Sequence, residues 1–175
     1  IIATSHTYNF LNDPLKDSLN IPLWIFNYLR KQFLNKAFFL ENNRKKFSKN
    51  IYISRKDGKS LRYIINENEV FQTLKKFDFE EVILSDYNFL EQVKIFNNAN
   101  YIVGLHGAGF ANLVFCKPNT KVLELMPNTA GNVIKNLAIN NRLIYNCLSV
   151  KPETLNFNNQ SGDIFIKLDI LKNKI

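Results

Sequence analysis

The segment with the clearest chemical meaning is a glycine-rich turn, Gly104 to Gly109 (GLHGAG), that follows one predicted strand and opens a short helix. Glycine lets a ligand approach the backbone, and the amide N–H groups and dipole of a helix N-terminus favour an anion such as pyrophosphate. His106 lies in the turn and is a candidate donor to a phosphate oxygen. The alternative is a tight structural turn that His106 only caps.

The glycine spacing of this turn limits the ligand. It is not the G-x-G-x-x-G pattern of dinucleotide-binding domains, which disfavours a nicotinamide cofactor. It is not a Walker sequence either, because no Gly-Lys-Ser/Thr follows.

Arg55 and Arg62 are two of only five arginines in the chain, and they lie close together after the first predicted strand. A guanidinium group is always charged and binds phosphate through a planar fork. Both arginines are therefore candidates for phosphate binding. Surface ion pairs with Asp57, Glu67 or Glu69 are the structural alternative.

Two further polar residues follow the glycine turn. Glu124 ends the next predicted strand, 20 residues beyond Gly104, where a carboxylate in nucleotide-binding α/β domains accepts hydrogen bonds from ribose. A partly buried structural glutamate is equally compatible with the pattern. Asn112 lies three residues beyond Gly109 and either faces the phosphate or caps locally. No D-x-D carboxylate pair occurs, so a metal site of that type is not expected.

The composition describes one folded domain with a basic surface. The 175 residues are 46% hydrophobic with 15 Phe, which excludes a disordered chain. A net charge of +8 suits an anionic partner or simply solubility. No apolar run approaches the roughly 20 residues that a membrane span needs. Two cysteines are too few for a disulfide framework or a zinc cluster.

From Asn50 onward, short apolar segments alternate with amphipathic ones. We predict five strands, at 51–54, 82–84, 101–105, 122–125 and 143–145. Strands that alternate with short helices form a parallel sheet with right-handed crossovers. The fold class is therefore α/β, a Rossmann-like three-layer sandwich with a mainly parallel five-stranded sheet. In such a sheet the ligand sits beyond the carboxyl ends of the strands.

Taken in order, these motifs resemble the glycosyltransferase 61 family over about residues 51–126. The matching positions are ISR at 53–55, Arg62, NExEV from Asn66, EQVxxFxxA from Glu91, GxHGAGxxNxxF from Gly104 and VxEL from Val122. The resemblance implies the C-terminal, donor-binding lobe of a GT-B enzyme. Such an enzyme transfers a sugar from a nucleotide-sugar to an acceptor hydroxyl with inversion, here in polysaccharide or glycoconjugate biosynthesis.

The resemblance also implies site residues. By that analogy, the donor diphosphate is held by Arg55, Arg62, His106, Gly107, Ala108, Gly109 and Asn112. The ribose role of Glu124 follows from spacing rather than from the family. No cofactor and no metal are expected, because these enzymes usually stabilise the leaving diphosphate with cations of the protein and helix dipoles.

The expected partners are the nucleotide-sugar, a glycan or other hydroxyl acceptor, and an N-terminal lobe of the same protein. The general base is expected on that other lobe, with His106 as a second candidate. Few arginines and no basic–aromatic motif disfavour nucleic acid. The expected location is the cytoplasm, with peripheral association at the inner face of the membrane as an extension. The alternatives are another nucleotide- or S-adenosylmethionine-binding enzyme, or a non-catalytic transferase lobe.

Three regions are expected along the chain. Residues 1–49 form a loop and a helix that begins after Pro22 and packs on the domain. Residues 50–150 form the nucleotide-sugar-binding domain, and 151–175 extend it at the C-terminal end. Asn66 and Glu69 have the spacing of a helix capping box.

Overall fold

The computed structural model describes residues 21–39, 46–57, 62–154 and 162–175. Residues 1–20 of the loop predicted in the N-terminal region lie outside these ranges. The helices and strands are α1 (Leu23–Phe39), β1 (Asn50–Ser54), α2 (Glu67–Lys75), β2 (Glu80–Ile83), α3 (Phe89–Asn98), β3 (Tyr101–Leu105), β4 (Lys121–Pro127), α4 (Val133–Asn140), β5 (Ile144–Val150) and α5 (Leu168–Lys172). Two 3-10 helices, Leu84–Asp86 and Ala108–Phe115, follow β2 and β3.

The five strands form one sheet in the order β2-β1-β3-β4-β5, and every neighbouring pair is parallel. The predicted α/β fold class is confirmed. The strand order reverses between β1 and β3, where Ile53 pairs with Gly104. In open parallel sheets this reversal, the topological switch point, leaves a crevice at the carboxyl ends of the strands.

Both faces of the sheet are covered, as its apolar strands require. On one face, Ile51, Ile53 and Ile102 pack with side chains of α1, α3, α4 and the 3-10 helix after β3. On the other face, Tyr52 and Val103 pack with α2, α5 and the segment before α5. The helix predicted behind Pro22 is present as α1, and on this face it packs against α3 and the 3-10 helix after β3.

The segment 162–175 belongs to the same packed body. Ile164, Ile166 and Leu171 are fully buried, and Ile164 forms an isolated parallel bridge with Ile64. The bridge at Ile164 is followed by the short helix α5.

The capping box predicted at Asn66 is wrong. Asn66 occupies the N-cap position of α2, but its side chain makes no capping hydrogen bond. Instead Nδ2 donates to the Ile166 carbonyl at 2.9 Å, and Oδ1 accepts from the Ile166 N–H at 3.0 Å. A capping box is present at α3, where Asn88 and Glu91 bond each other's backbone N–H.

Within the described ranges, no helix combines the length and apolar character needed to cross a bilayer.

We predict that Asn66→Ala lowers the free energy of unfolding by about 1–3 kcal/mol, because it leaves the buried N–H and carbonyl of Ile166 unpaired. The matched control is Asn68→Ala on the same helix, where the side chain is exposed. Urea unfolding of both variants measures the difference. Equal losses would show that the Asn66–Ile166 bonds do not hold the terminal segment.

Candidate functional site

The site lies at the carboxyl ends of β1 and β3, on both sides of the switch point. Arg55 directly follows β1, and His106 directly follows β3. Because β1 and β3 are hydrogen-bonded neighbours, the two residues come together although 51 positions separate them. The sheet topology therefore assembles two of the predicted site residues without any help from the loops.

Two arginines bind the same backbone oxygen. Nη1 of Arg55 donates to the carbonyl of His106 at 3.0 Å, and Nη1 of Arg62 donates to it at 3.1 Å. Both side chains are half-buried. The contact holds the two guanidinium groups close to each other and to the glycine turn, which is the grouping that the sequence predicts.

Gly107 is required for this arrangement. A Cβ atom at residue 107 would lie 2.6 Å from Nη1 of Arg55, well inside van der Waals contact. The Arg55 guanidinium thus occupies the space that a side chain at this position would fill. The glycine allows close approach to a side chain of the same protein in addition to any ligand.

The two guanidinium groups concentrate positive charge. Burial lowers the pKa of Arg55 from its ordinary value, opposed by the charges of Asp57 and Tyr63. Burial also lowers the pKa of Arg62, and the neighbouring charge of Arg55 lowers it further, opposed by Glu124. Arginine nevertheless keeps its charge at neutral pH. An anion at this place would relieve the repulsion between the two cations.

His106 is held from behind by a buried carboxylate. Its Nδ1 is hydrogen-bonded to Oε1 of Glu124, whose side chain is fully buried. The hydroxyl of Tyr145 donates to the other carboxylate oxygen at 2.6 Å. Burial raises the pKa of Tyr145, and the hydrogen bond and charge of Glu124 raise it further, so this hydroxyl stays protonated and acts as the donor.

Two openings flank the glycine turn. A cleft of about 150 Å³ on the β1 side is lined by Ser54, Arg55, Asp57 and residues 107–110, among others. A larger pocket of about 490 Å³ is lined at one end by Arg62, His106, Gly107 and Ala108. The rest of its lining is apolar and comes from Ile21, Ile25, Phe26, Leu29, Ala111, Val114, Val133, Ile134 and Leu137.

Three predicted site residues have contacts that point away from a phosphate. Nδ2 of Asn112 donates to Gln92 Oε1 at 3.0 Å, so the amide is tied to α3. Gly109 faces Leu84 and Ile53, and a Cβ there would lie 3.1 Å from Leu84 Cδ1. The ribose role of Glu124 stays a prediction that the geometry does not favour, because both carboxylate oxygens already contact the protein.

Sequence reasoning missed Tyr145. The register of β4 on β5 pairs Tyr145 with Val122. Glu124 lies two residues further along the same face of β4, within reach of the Tyr145 hydroxyl, and no local motif in the sequence predicts this contact. It also missed the acceptor role of Glu67, whose Oε1 accepts hydrogen bonds from the hydroxyls of Tyr52 and Ser54 at 2.8 and 3.0 Å.

In the part of the chain that the structure describes, no group of three His, Cys, Asp or Glu side chains is placed to hold a metal ion. Cys116 is buried, and burial raises the pKa of its thiol.

The fold and site define a doubly wound α/β domain with a paired-arginine, glycine-rich loop at its switch point. The family model for glycosyltransferase 61 matches residues 13–123. The chain therefore belongs to the glycosyltransferase 61 family, and the resemblance read from the sequence is confirmed.

Relatives with curated names match shorter stretches. The chain is similar to EGF domain-specific O-linked N-acetylglucosamine transferase of Bos taurus, with 38% identity over 69 residues, which is 37% of this chain and 13% of the relative. It is similar to Beta-1,2-xylosyltransferase RCN11 of Oryza sativa subsp. japonica, with 31% identity over 80 residues, 41% of this chain and 15% of the relative. The matched region is thus a small part of the length of these relatives.

We predict that Gly107→Ala lowers the free energy of unfolding by roughly 1–3 kcal/mol, because the new methyl group displaces the Arg55 guanidinium from the His106 carbonyl. The loss should shrink in an Arg55→Ala background, since the clash is then absent. Urea unfolding of the two single variants and the double variant gives the coupling energy. Additive losses would show that Gly107 and Arg55 do not meet.

Proposed function

We propose that this chain is the donor-binding part of a glycosyltransferase, which transfers a sugar from a nucleoside-diphosphate sugar to an acceptor hydroxyl with inversion, in polysaccharide or glycoconjugate synthesis. The observation that carries the proposal is the convergence of Arg55 and Arg62 on the carbonyl of His106, beside the glycine turn. Family membership supplies the reaction class, and the paired cations supply the chemistry that a diphosphate needs.

The geometry suits a diphosphate better than a single carboxylate. The carbonyl contact brings Nη1 of each arginine to the same oxygen, and each guanidinium presents its N–H donors in a rigid planar fork. Two forks fixed side by side match two adjacent phosphate groups. The backbone at Gly107 and Ala108 borders both openings, so a ligand can contact it from either side of the turn.

In the transfer step, the acceptor hydroxyl gives its proton to a general base and its oxygen forms a bond to the anomeric carbon, while the bond from that carbon to the diphosphate oxygen breaks. The electron pair stays on the diphosphate, whose negative charge grows as it departs. Arg55 and Arg62 are positioned before the reaction and meet that growing charge without reorganising. The proposal therefore assigns leaving-group stabilisation to protein cations and requires no metal ion.

The acceptor and the general base are proposed to lie on another lobe of the protein. The relatives are named for transferring N-acetylglucosamine and xylose. UDP-N-acetylglucosamine and UDP-xylose are therefore the first donors to test.

We predict that UDP binds the full chain and that Arg55→Ala and Arg62→Ala each weaken binding by about tenfold or more, as expected for loss of a charge-assisted hydrogen bond. Isothermal titration calorimetry measures both affinities. Arg142→Ala is the matched control, because Arg142 is exposed in the turn before β5 and so lies at the opposite end of the parallel strands from the site. An absence of binding heat with UDP, GDP and CDP alike would contradict the proposed function.

We also predict that EDTA changes the UDP affinity by less than about twofold relative to added Mg²⁺, because two arginines and not a cation neutralise the diphosphate. Calorimetry in matched buffers provides the comparison. Loss of binding in EDTA that Mg²⁺ restores would contradict the metal-independent arrangement.

A further inference from the structure

His106 is held at all three of its polar groups that face the protein. Its backbone N–H donates to the Leu125 carbonyl at 2.8 Å, and its own carbonyl accepts from the two arginines. Its ring contacts Glu124 through Nδ1. With the backbone fixed on both sides and one ring nitrogen engaged, the imidazole has a single orientation.

Glu124 has no exposed surface and contacts two polar side chains. Tyr145 donates to one carboxylate oxygen and the His106 ring lies against the other. A buried carboxylate is costly unless it is paired and hydrogen-bonded. The Tyr145 hydroxyl supplies a hydrogen bond, and a proton on Nδ1 of His106 supplies the second.

The other ring nitrogen, Nε2, is the one left for a ligand. His106 lines the large pocket together with Arg62, Gly107 and Ala108. From α1 and α4 this pocket receives only apolar side chains, including Ile25 and Ile134. Among the described residues, the charged and titratable groups that the structure places around His106 are Glu124 from β4, Tyr145 beyond it from β5, and the two arginines.

We infer that Glu124 and Tyr145 are positioning residues, which hold His106 as an imidazolium with Nε2–H directed at the donor diphosphate. This inference rests on the proposed function and deepens it. Glu124 presents its carboxylate to the Nδ1 side of the ring, while the two arginines contact the backbone oxygen of the same residue. His106 then acts as a third cation at the site, and its strength depends on a carboxylate that never touches the ligand.

A general-base role for His106 predicts a different pH dependence of donor affinity. A neutral imidazole whose Nδ1–H is held by Glu124 presents a lone pair at Nε2, as a general base does. A lone pair repels phosphate oxygens, so the neutral ring does not attract the diphosphate. If His106 has this role, donor binding does not weaken as the pH rises. Binding alone, without an acceptor, distinguishes the two roles.

The test is calorimetry of the full chain with UDP-N-acetylglucosamine and UDP-xylose, from about pH 5.5 to about pH 8, the range in which histidine titrates. Both phosphates of these probes are esterified, so neither ionises in that range. We expect the wild-type affinity to fall by roughly tenfold toward the alkaline end, as loss of a charged donor predicts. His106→Gln should be weaker at acid pH and should show no alkaline fall.

Variants of Glu124 and Tyr145 should change the pH at which donor affinity falls, and not only the affinity itself. Glu124→Gln keeps the shape of the side chain and removes its charge, so the alkaline fall should begin at lower pH. Tyr145→Phe should shift the start of the alkaline fall by less, and to higher pH, because Glu124 then interacts with His106 alone. Binding in buffers of different ionisation enthalpy should show proton uptake in the wild type and not in His106→Gln.

Tyr52 of β1 and Glu67 of α2 form a second tyrosine–carboxylate pair, which serves as the matched control. Tyr52→Phe and Glu67→Gln should leave the alkaline fall at the wild-type pH. Urea unfolding confirms that each variant is folded at the temperature used. If Glu124→Gln fails to fold, Tyr145→Phe and His106→Gln still decide the outcome.

The outcomes separate the two claims. Wild-type binding with no alkaline fall and no proton uptake would overturn the imidazolium and leave the proposed function standing. An alkaline fall that Glu124→Gln leaves in place would overturn the positioning role. No binding of any nucleoside diphosphate or of either donor would defeat the proposed function itself.

Discussion

One carbonyl oxygen organises the whole site. The backbone oxygen of His106 accepts hydrogen bonds from Arg55 and Arg62, which come from two different segments of the chain. Its two hydrogen bonds hold two half-buried guanidinium groups close together despite their like charge. A neutral acceptor lets both approach while leaving their charge intact. The position of that oxygen in turn depends on β3, and so on the centre of the sheet.

The buried polar groups around His106 form a consistent set. Glu124 sits on β4 between the ring of His106 and the hydroxyl of Tyr145 on β5. Three adjacent strands thus each contribute one member, and the pairing of the strands fixes their distances. A low local dielectric strengthens such a set when every member is satisfied, and this gives the turn a rigid support on its inner side.

Most of the sheet could be predicted from the sequence, because buried strands are continuous apolar runs. The predicted span 101–105 coincides with β3. The strand predicted at 82–84 begins earlier, at Glu80, since β2 is an edge strand and two glutamates at its start disguise it. The strand predicted at 143–145 continues to Val150 for the same reason, as alternating exposure along β5 weakens the apolar signal.

The site was predictable where topology alone brings residues together, and not where side chains choose between partners. Arg55 and His106 follow neighbouring strands, so their approach could be foreseen. Asn66 had the local pattern of a cap, yet a partner 100 residues away took its amide. Glu124 had the spacing of a ribose ligand, but the register of β4 on β5 supplies Tyr145. Long-range partners of this kind leave no mark in a local window of sequence.

The pairing of Ile164 with the segment after Arg62 has an evolutionary consequence. Ile164 donates its N–H to Tyr63 and accepts one from Ile65, so the last described stretch of chain supports the backbone that carries an arginine of the site. Lineages that change this distant stretch can shift the position of Arg62 without a substitution at Arg62 or at its neighbours in the sequence. Substitutions in residues 162–175 are then felt at the carboxyl ends of the central strands, far from them in the sequence.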